Sequence, residues 1–123
     1  MAAGIATLQE MRKPGQYDEL ERKRRLLVDG ITKAIQDTDI AAQCVSIGAM
    51  FCLYFTDQPV TNYAEAKTAN AARFAHYFWS MLQQGIYLPP SQFEACFISL
   101  ALDDEMIEET VQCARRALRT ALE

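Results

Sequence analysis

Gln43-Cys44-Val45-Ser46-Ile47-Gly48-Ala49-Met50-Phe51-Cys52-Leu53-Tyr54-Phe55 differs in character from everything around it. Branched and aromatic side chains follow one another here, and they suit a pleated, half-buried surface better than a helix. Gly48 interrupts the run, which therefore reads as a short strand, a break or bulge, and a longer buried strand.

Upstream, Leu20, Leu27, Ile31 and Ala34 or Ile35 recur every three to four residues with charges between them, the pattern of a surface helix packed on a core. Asp37-Thr38-Asp39 ends it. Before it, Ile5, Leu8 and Met11 give residues 1–13 helical spacing, and Pro14-Gly15 stops that helix. No capping residue precedes Ala2, so residues 1–13 read as the end of a helix leading to a large domain absent from this sequence.

Downstream, Asp57-Gln58-Pro59 opens a loop, and Asn62 is placed to cap a short turn over residues 63–67. A further helix carries Phe74, Tyr77, Phe78, Met81 and Leu82 on one side, with Gly85 as its stop. Residues 86–88 read as a short extended piece, Pro89-Pro90 as a rigid turn, and Phe93 to Leu100 as another strand. Asp103, Asp104 and Glu105 put acids at the start of a last helix, and Arg115, Arg116 and Arg119 put bases near its end, both matching the helix dipole. Its buried stripe is Ile107, Val111, Ala114, Leu118 and Leu122. The expected fold is α+β, a single domain over residues 1–123, with a small mainly antiparallel sheet of three to four strands and helices packed on one face.

Twelve basic residues against 16 acidic ones give a net charge of −4, which repels nucleic acid and anionic lipid alike. The dense run Arg22-Lys23-Arg24-Arg25 is flanked by Glu19, Glu21 and Asp29 and reads as a solvated helix face. No apolar run approaches the roughly 20 residues of a membrane span, and no signal peptide is evident. Cys44, Cys52, Cys96 and Cys113 fit no CxxC spacing, so they read as buried free thiols in a reducing compartment. With one histidine, no phosphate loop and no HExxH or GxSxG, neither a triad nor a metal site assembles from this sequence. His76 and Trp79 read as packing residues.

Glu94 is the ionisable group within the apolar run from Phe93 to Leu100. Strand alternation would place Glu94, Cys96, Ile98 and Leu100 on one face and Phe93, Ala95, Phe97 and Ser99 on the other. Such a carboxylate either sits at the solvated end of a strand or is held to bind a cation or a proton, and the residues alone leave both open.

Gly85-Ile86-Tyr87-Leu88-Pro89-Pro90-Ser91-Gln92-Phe93-Glu94-Ala95 closely resembles the G-[IV]-Y-L-A-P-S-Q-F-E-A run of glutamate-1-semialdehyde 2,1-aminomutases, class III pyridoxal-phosphate enzymes. Residues 1–8 with Arg12-Lys13-Pro14-Gly15, Ala49-Met50-Phe51, Pro59-Val60 with Asn62-Tyr63, and Ser99-Leu100-Ala101 follow in the family's order. The resemblance covers the whole sequence and places it in the C-terminal segment. It implies an intact enzyme, a cytoplasmic homodimer or a plastid one if a transit peptide was lost, that turns glutamate-1-semialdehyde into 5-aminolevulinate for tetrapyrrole synthesis with pyridoxal phosphate. The family's Schiff-base lysine and phosphate-binding groups lie upstream of Met1, so no catalytic, cofactor-binding or metal-binding residue is expected here, and the chain alone is expected to be inactive. Its expected partner is the large cofactor-binding domain of the same enzyme. Two residues carry over toward substrate binding: Glu94, facing the substrate's amino end, and Ser91, fixing the loop.

Three positions depart from the family pattern. Cys52 and Cys96 stand where glycine is usual, so strained strands or a crowded site are expected, and Leu102 stands where histidine is usual. Two further readings accompany the first: a catalytically silent interaction or regulatory module, and the C-terminal domain of a related class III aminotransferase. The absence of arginine between Ser91 and Ser99 argues against a transaminase that clamps a carboxylate with this segment.

Overall fold

The computed structural model describes residues 1–121. Helices α1 (Ala2–Met11) and α2 (Gln16–Thr38) lead into strands β1 (Gln43–Ile47) and β2 (Met50–Tyr54). Then come α3 (Tyr63–Ala66), α4 (Ala71–Gln83), β3 (Cys96–Phe97) and α5 (Asp104–Thr120). The strands form one antiparallel sheet in the order β1-β2-β3. The α+β expectation and its three-stranded sheet hold, as does helix packing on one face.

The interruption at Gly48 is a hairpin rather than a bulge. Ile47 pairs with Met50, leaving Gly48 and Ala49 as a two-residue turn, and Gly48 takes the positive φ of 56° with which such a turn can open. Alternation then divides the sheet. Phe51 and Leu53 face the helices and are buried, whereas Ile47, Met50 and Phe97 stand exposed on the other face.

The core lies between that inner face and the seam of α2 with α5. Leu20, Leu27, Ile31, Ala34 and Ile35 of α2 are buried as their spacing requires, and they meet Ile107, Val111, Ala114 and Leu118 of α5. Leu122, the last member of the expected stripe, lies outside the described residues. Gly30 lets the two helices approach closely, since a Cβ there would come within 2.5 Å and 2.8 Å of the Val111 methyls. Ion pairs close the ends of the seam, Arg22 with Asp104 at 2.6 Å and Arg115 with Asp37 at 2.6 Å. Arg115 and Arg116 thus serve tertiary contacts, the latter donating to Gln84 Oε1 at 2.6 Å, and Arg119 is the base of α5's last turn.

Side-chain caps set the helix starts. Asn62, Asn70 and Asp103 accept hydrogen bonds from the amides of Glu65, Arg73 and Met106, satisfying donors that have no partner inside their helices. In α1 no residue is buried, and Ile5 and Leu8 keep their spacing with nothing packed against it.

Three expectations are corrected. Residues 86–88 join no ladder, because the Ile86 amide is used to terminate α4, donating to Met81 O at 3.0 Å while Gly85 donates to Leu82 O at 3.0 Å. The strand expected from Phe93 to Leu100 shrinks to Cys96–Phe97. A turn consumes its first residues, and the carbonyls of Leu100 and Leu102 are drawn to Lys23. His76 and Trp79 are exposed rather than packed, since Tyr77, Phe78 and Met81 already fill the buried side of α4.

The α4 terminator is the paired-bond motif that needs a left-handed residue, and Gly85 supplies it with φ at 87°. Gly85→Ala should cost about 1 kcal/mol, read as a lowered midpoint in urea denaturation. An unchanged midpoint would remove Gly85 from that role.

Candidate functional site

Pro89-Pro90 offers no backbone donors, and the chain emerging from it bends at once into a turn over residues 91–94. Ser91 holds that turn twice: its carbonyl accepts from the Glu94 amide at 3.1 Å, and its Oγ accepts from the Phe93 amide at 3.2 Å. Glu94 therefore precedes the strand rather than sitting on it. Alternation resumes beyond it, with Ile98 buried and Phe97 and Ser99 exposed.

The Glu94 side chain is exposed and lines the rim of a small cavity whose other walls include Phe51, Leu53, Tyr77, Gln92 and Cys96. The carboxylate thus stands beside apolar walls while remaining reachable by a solute. Such a position suits pairing with an ammonium or another donor.

Cys52 and Cys96 adjoin this turn. The Cys52 thiol donates to the Glu94 carbonyl, with sulfur and oxygen 3.8 Å apart, and Cys96 is paired with Phe51 across the ladder. Neither has positive φ, a conformation confined to Asp39 among the described non-glycine residues, so the expected backbone strain is not found. Burial and the neighbouring Cys52 and Glu94 push the Cys96 thiol up to about 11, and burial pushes Cys44 up to about 12. All four cysteines are free, but only Cys113 is fully buried.

Lys13 pairs with Glu10, Lys33 is exposed, and the Lys67 amine lies 5.8 Å from the centre of the Tyr63 ring. Lys23 contradicts the solvated-face reading of the basic run. It is 7% exposed, and its amine donates to the carbonyls of Leu100, at 3.1 Å, and Leu102. Arg24, also largely covered, donates to Ser46 Oγ at 2.5 Å, whereas Arg22 and Arg25 pair with acids at the surface. An amine engaged by two carbonyls, a surface ion pair and two surface amines do not make an imine-forming lysine, and the described residues do not fit pyridoxal phosphate.

From the sequence Ser91 and Glu94 were named, and Gln92 between them, which is 6% exposed, was passed over. Its polarity gave no sign of burial, because glutamine in a turn is ordinarily solvated.

No family model matches the chain. It is 50% identical over 115 residues to the glutamate-1-semialdehyde 2,1-aminomutase of Desulfosudis oleivorans, covering 94% of this chain and 27% of that protein. To the aminomutase of Roseiflexus castenholzii it is 46% identical over 120 residues, 98% of this chain and 28% of that one. The aminomutase of Pelotomaculum thermopropionicum matches all of the chain at 45% identity and is covered to 28%. The chain thus spans little more than a quarter of the length of the curated relatives it matches, and it corresponds to their C-terminal segment. Among solved structures, a glutamate-1-semialdehyde aminomutase from Pseudomonas aeruginosa PAO1 superposes with a TM-score of 0.82 at 21% identity, over 94% of this chain and 26% of that one. An omega-transaminase from Sphaerobacter thermophilus gives 0.82 at 18% identity, over 98% and 27%. These two likenesses show the fold alone.

Proposed function

We propose, from the correspondence of the chain to the C-terminal segment of glutamate-1-semialdehyde 2,1-aminomutases, that it is the small domain of such an enzyme and brings Glu94 to the substrate. The reaction is the conversion of glutamate-1-semialdehyde to 5-aminolevulinate, a step of tetrapyrrole synthesis carried out in the cytoplasm. The observation that carries this reading is the Ser91–Glu94 turn, which two hydrogen bonds to Ser91 fix and which leaves the Glu94 carboxylate exposed beside an apolar wall.

In that role Glu94 binds and orients. A carboxylate at the substrate's amino end accepts hydrogen bonds from an ammonium and favours its charged form. Ser91 acts through the backbone, fixing where that carboxylate points. Pyridoxal phosphate supplies the electron sink when bound, from the large domain, and this domain contributes placement. The exposed apolar face bearing Ile47, Met50 and Phe97 offers the large domain a docking surface within a homodimeric enzyme.

Two measurements test this. In the complete enzyme, Glu94→Gln should leave Tm unchanged, because the side chain is exposed, and lower kcat/KM about tenfold through loss of one charge-assisted contact. Normal turnover by the variant would sink the assignment. The 123-residue chain incubated with pyridoxal phosphate and reduced with borohydride should show slow labelling spread over surface amines. Rapid stoichiometric labelling of one lysine, with formation of 5-aminolevulinate, would overturn the division of labour between the two domains.

A further inference from the structure

Gln92 occupies the second position of the turn that carries Glu94, yet its side chain points away from solvent, into the protein. Its Oε1 is buried and has no hydrogen-bond partner among the described residues. A buried amide oxygen without a partner costs on the order of 1–3 kcal/mol, so a group that can donate to it is strongly favoured there. The cavity that Gln92 lines measures about 20 Å³ and is shared with Tyr77, Ser91, Glu94 and Cys96 against the apolar walls of Phe51 and Leu53. One water needs roughly 10–15 Å³ of such space and two to four polar partners. The size admits one water and excludes any organic ligand, and the wall residues include two with hydroxyls, Tyr77 and Ser91, one with an amide and one with a carboxylate.

We propose that this cavity is a structural water site. The water donates to Gln92 Oε1 and accepts from the Tyr77 hydroxyl, tying helix α4 to the turn that presents Glu94. Gln92 is thereby a positioning residue, acting on Glu94 through a solvent molecule and the turn backbone. Tyr77 lies on the buried side of α4, 3% exposed, so the water links the turn to a helix of the core.

A crystal structure of the 123-residue chain, at a resolution that shows ordered solvent, should place a water within about 3.2 Å of the Gln92 amide oxygen. Gln92→Leu, close in volume but without polar atoms, should lower Tm. Tyr77→Phe should lower it too, and the pair together should lose less than the sum of the two. A dry cavity in the crystal, or a Gln92→Leu chain that melts higher than the original because an unpartnered carbonyl has been removed, would overturn the proposal. Should either variant fail to fold, the crystal structure of the unaltered chain decides alone. None of these measurements requires catalysis, so their failure would leave the reading of Glu94 as a substrate contact standing.

Discussion

Gly30→Val is expected to destabilise the domain by about 3 kcal/mol, the upper part of the range for overpacking a filled core. The site leaves little choice. A Cβ alone would meet Val111 Cγ2 at 2.5 Å, and valine adds two further methyls against a partner that is itself β-branched and stiff about χ1. The seam can respond only by moving α2 away from α5, which would loosen the contacts of Ile31 and Leu118 on either side. Urea denaturation of Gly30→Val, Val111→Ala and the double variant separates this from a loss of helix propensity. If the clash is the cause, Val111→Ala should recover a good part of the loss in the Gly30→Val background while destabilising the original chain. Independent, additive effects would show that Gly30 is not a contact point between the helices.

Lys23→Met should cost about 2–3 kcal/mol, although the substitution preserves most of the side chain's apolar stem. What it removes is the ammonium that the carbonyls of Leu100 and Leu102 accept from, and hydrogen bonds to a charged donor rank among the stronger ones. Glu19, with an oxygen 3.8 Å from the amine, would lose its attraction as well. Because Lys23 holds the segment between β3 and α5, amide hydrogen exchange around residues 100–102 should rise by more than the global loss of stability accounts for. Uniform acceleration across the chain would mean that the lysine stabilises the fold without clamping that segment.

The contrast between Gly85 and Lys23 shows what could be read before the structure. The terminator at Gly85 is built from residues 81–86, so its whole cause lies within one turn of sequence and could be recognised there. The Asn62 cap is equally local. Lys23 finds its partners 77 and 79 residues away. Its place between Leu20 and Leu27 on the buried stripe sets it apart from Arg25, which pairs with Glu21 at the surface, but says nothing of which carbonyls would receive the ammonium. The far end of β3 was hidden for the same reason, since Lys23 draws off the Leu100 and Leu102 carbonyls, whereas its near end is set by the local turn at Ser91. Gly30 did carry a signal: a glycine inside an amphipathic helix costs about 1 kcal/mol and so suggests a close approach, but it does not say to what. At the candidate site, Ser91 and Glu94 were assigned to substrate binding only through the resemblance of their run to a known family, and the turn that joins them is local. The burial of Gln92 between them depends on walls contributed by β2 and α4, and no local pattern reports it.

The α2–α5 seam also decides when the domain can be born. Its two helices are neighbours in space but lie 78 and 82 residues apart at Asp37–Arg115 and Arg22–Asp104. A ribosome that has released only as far as β3 has supplied the sheet face that α2 packs on but not α5, and the long loop between the two helices delays their meeting. The core can be completed only once α5 has emerged, so until then the side of α2 that meets α5 stays uncovered.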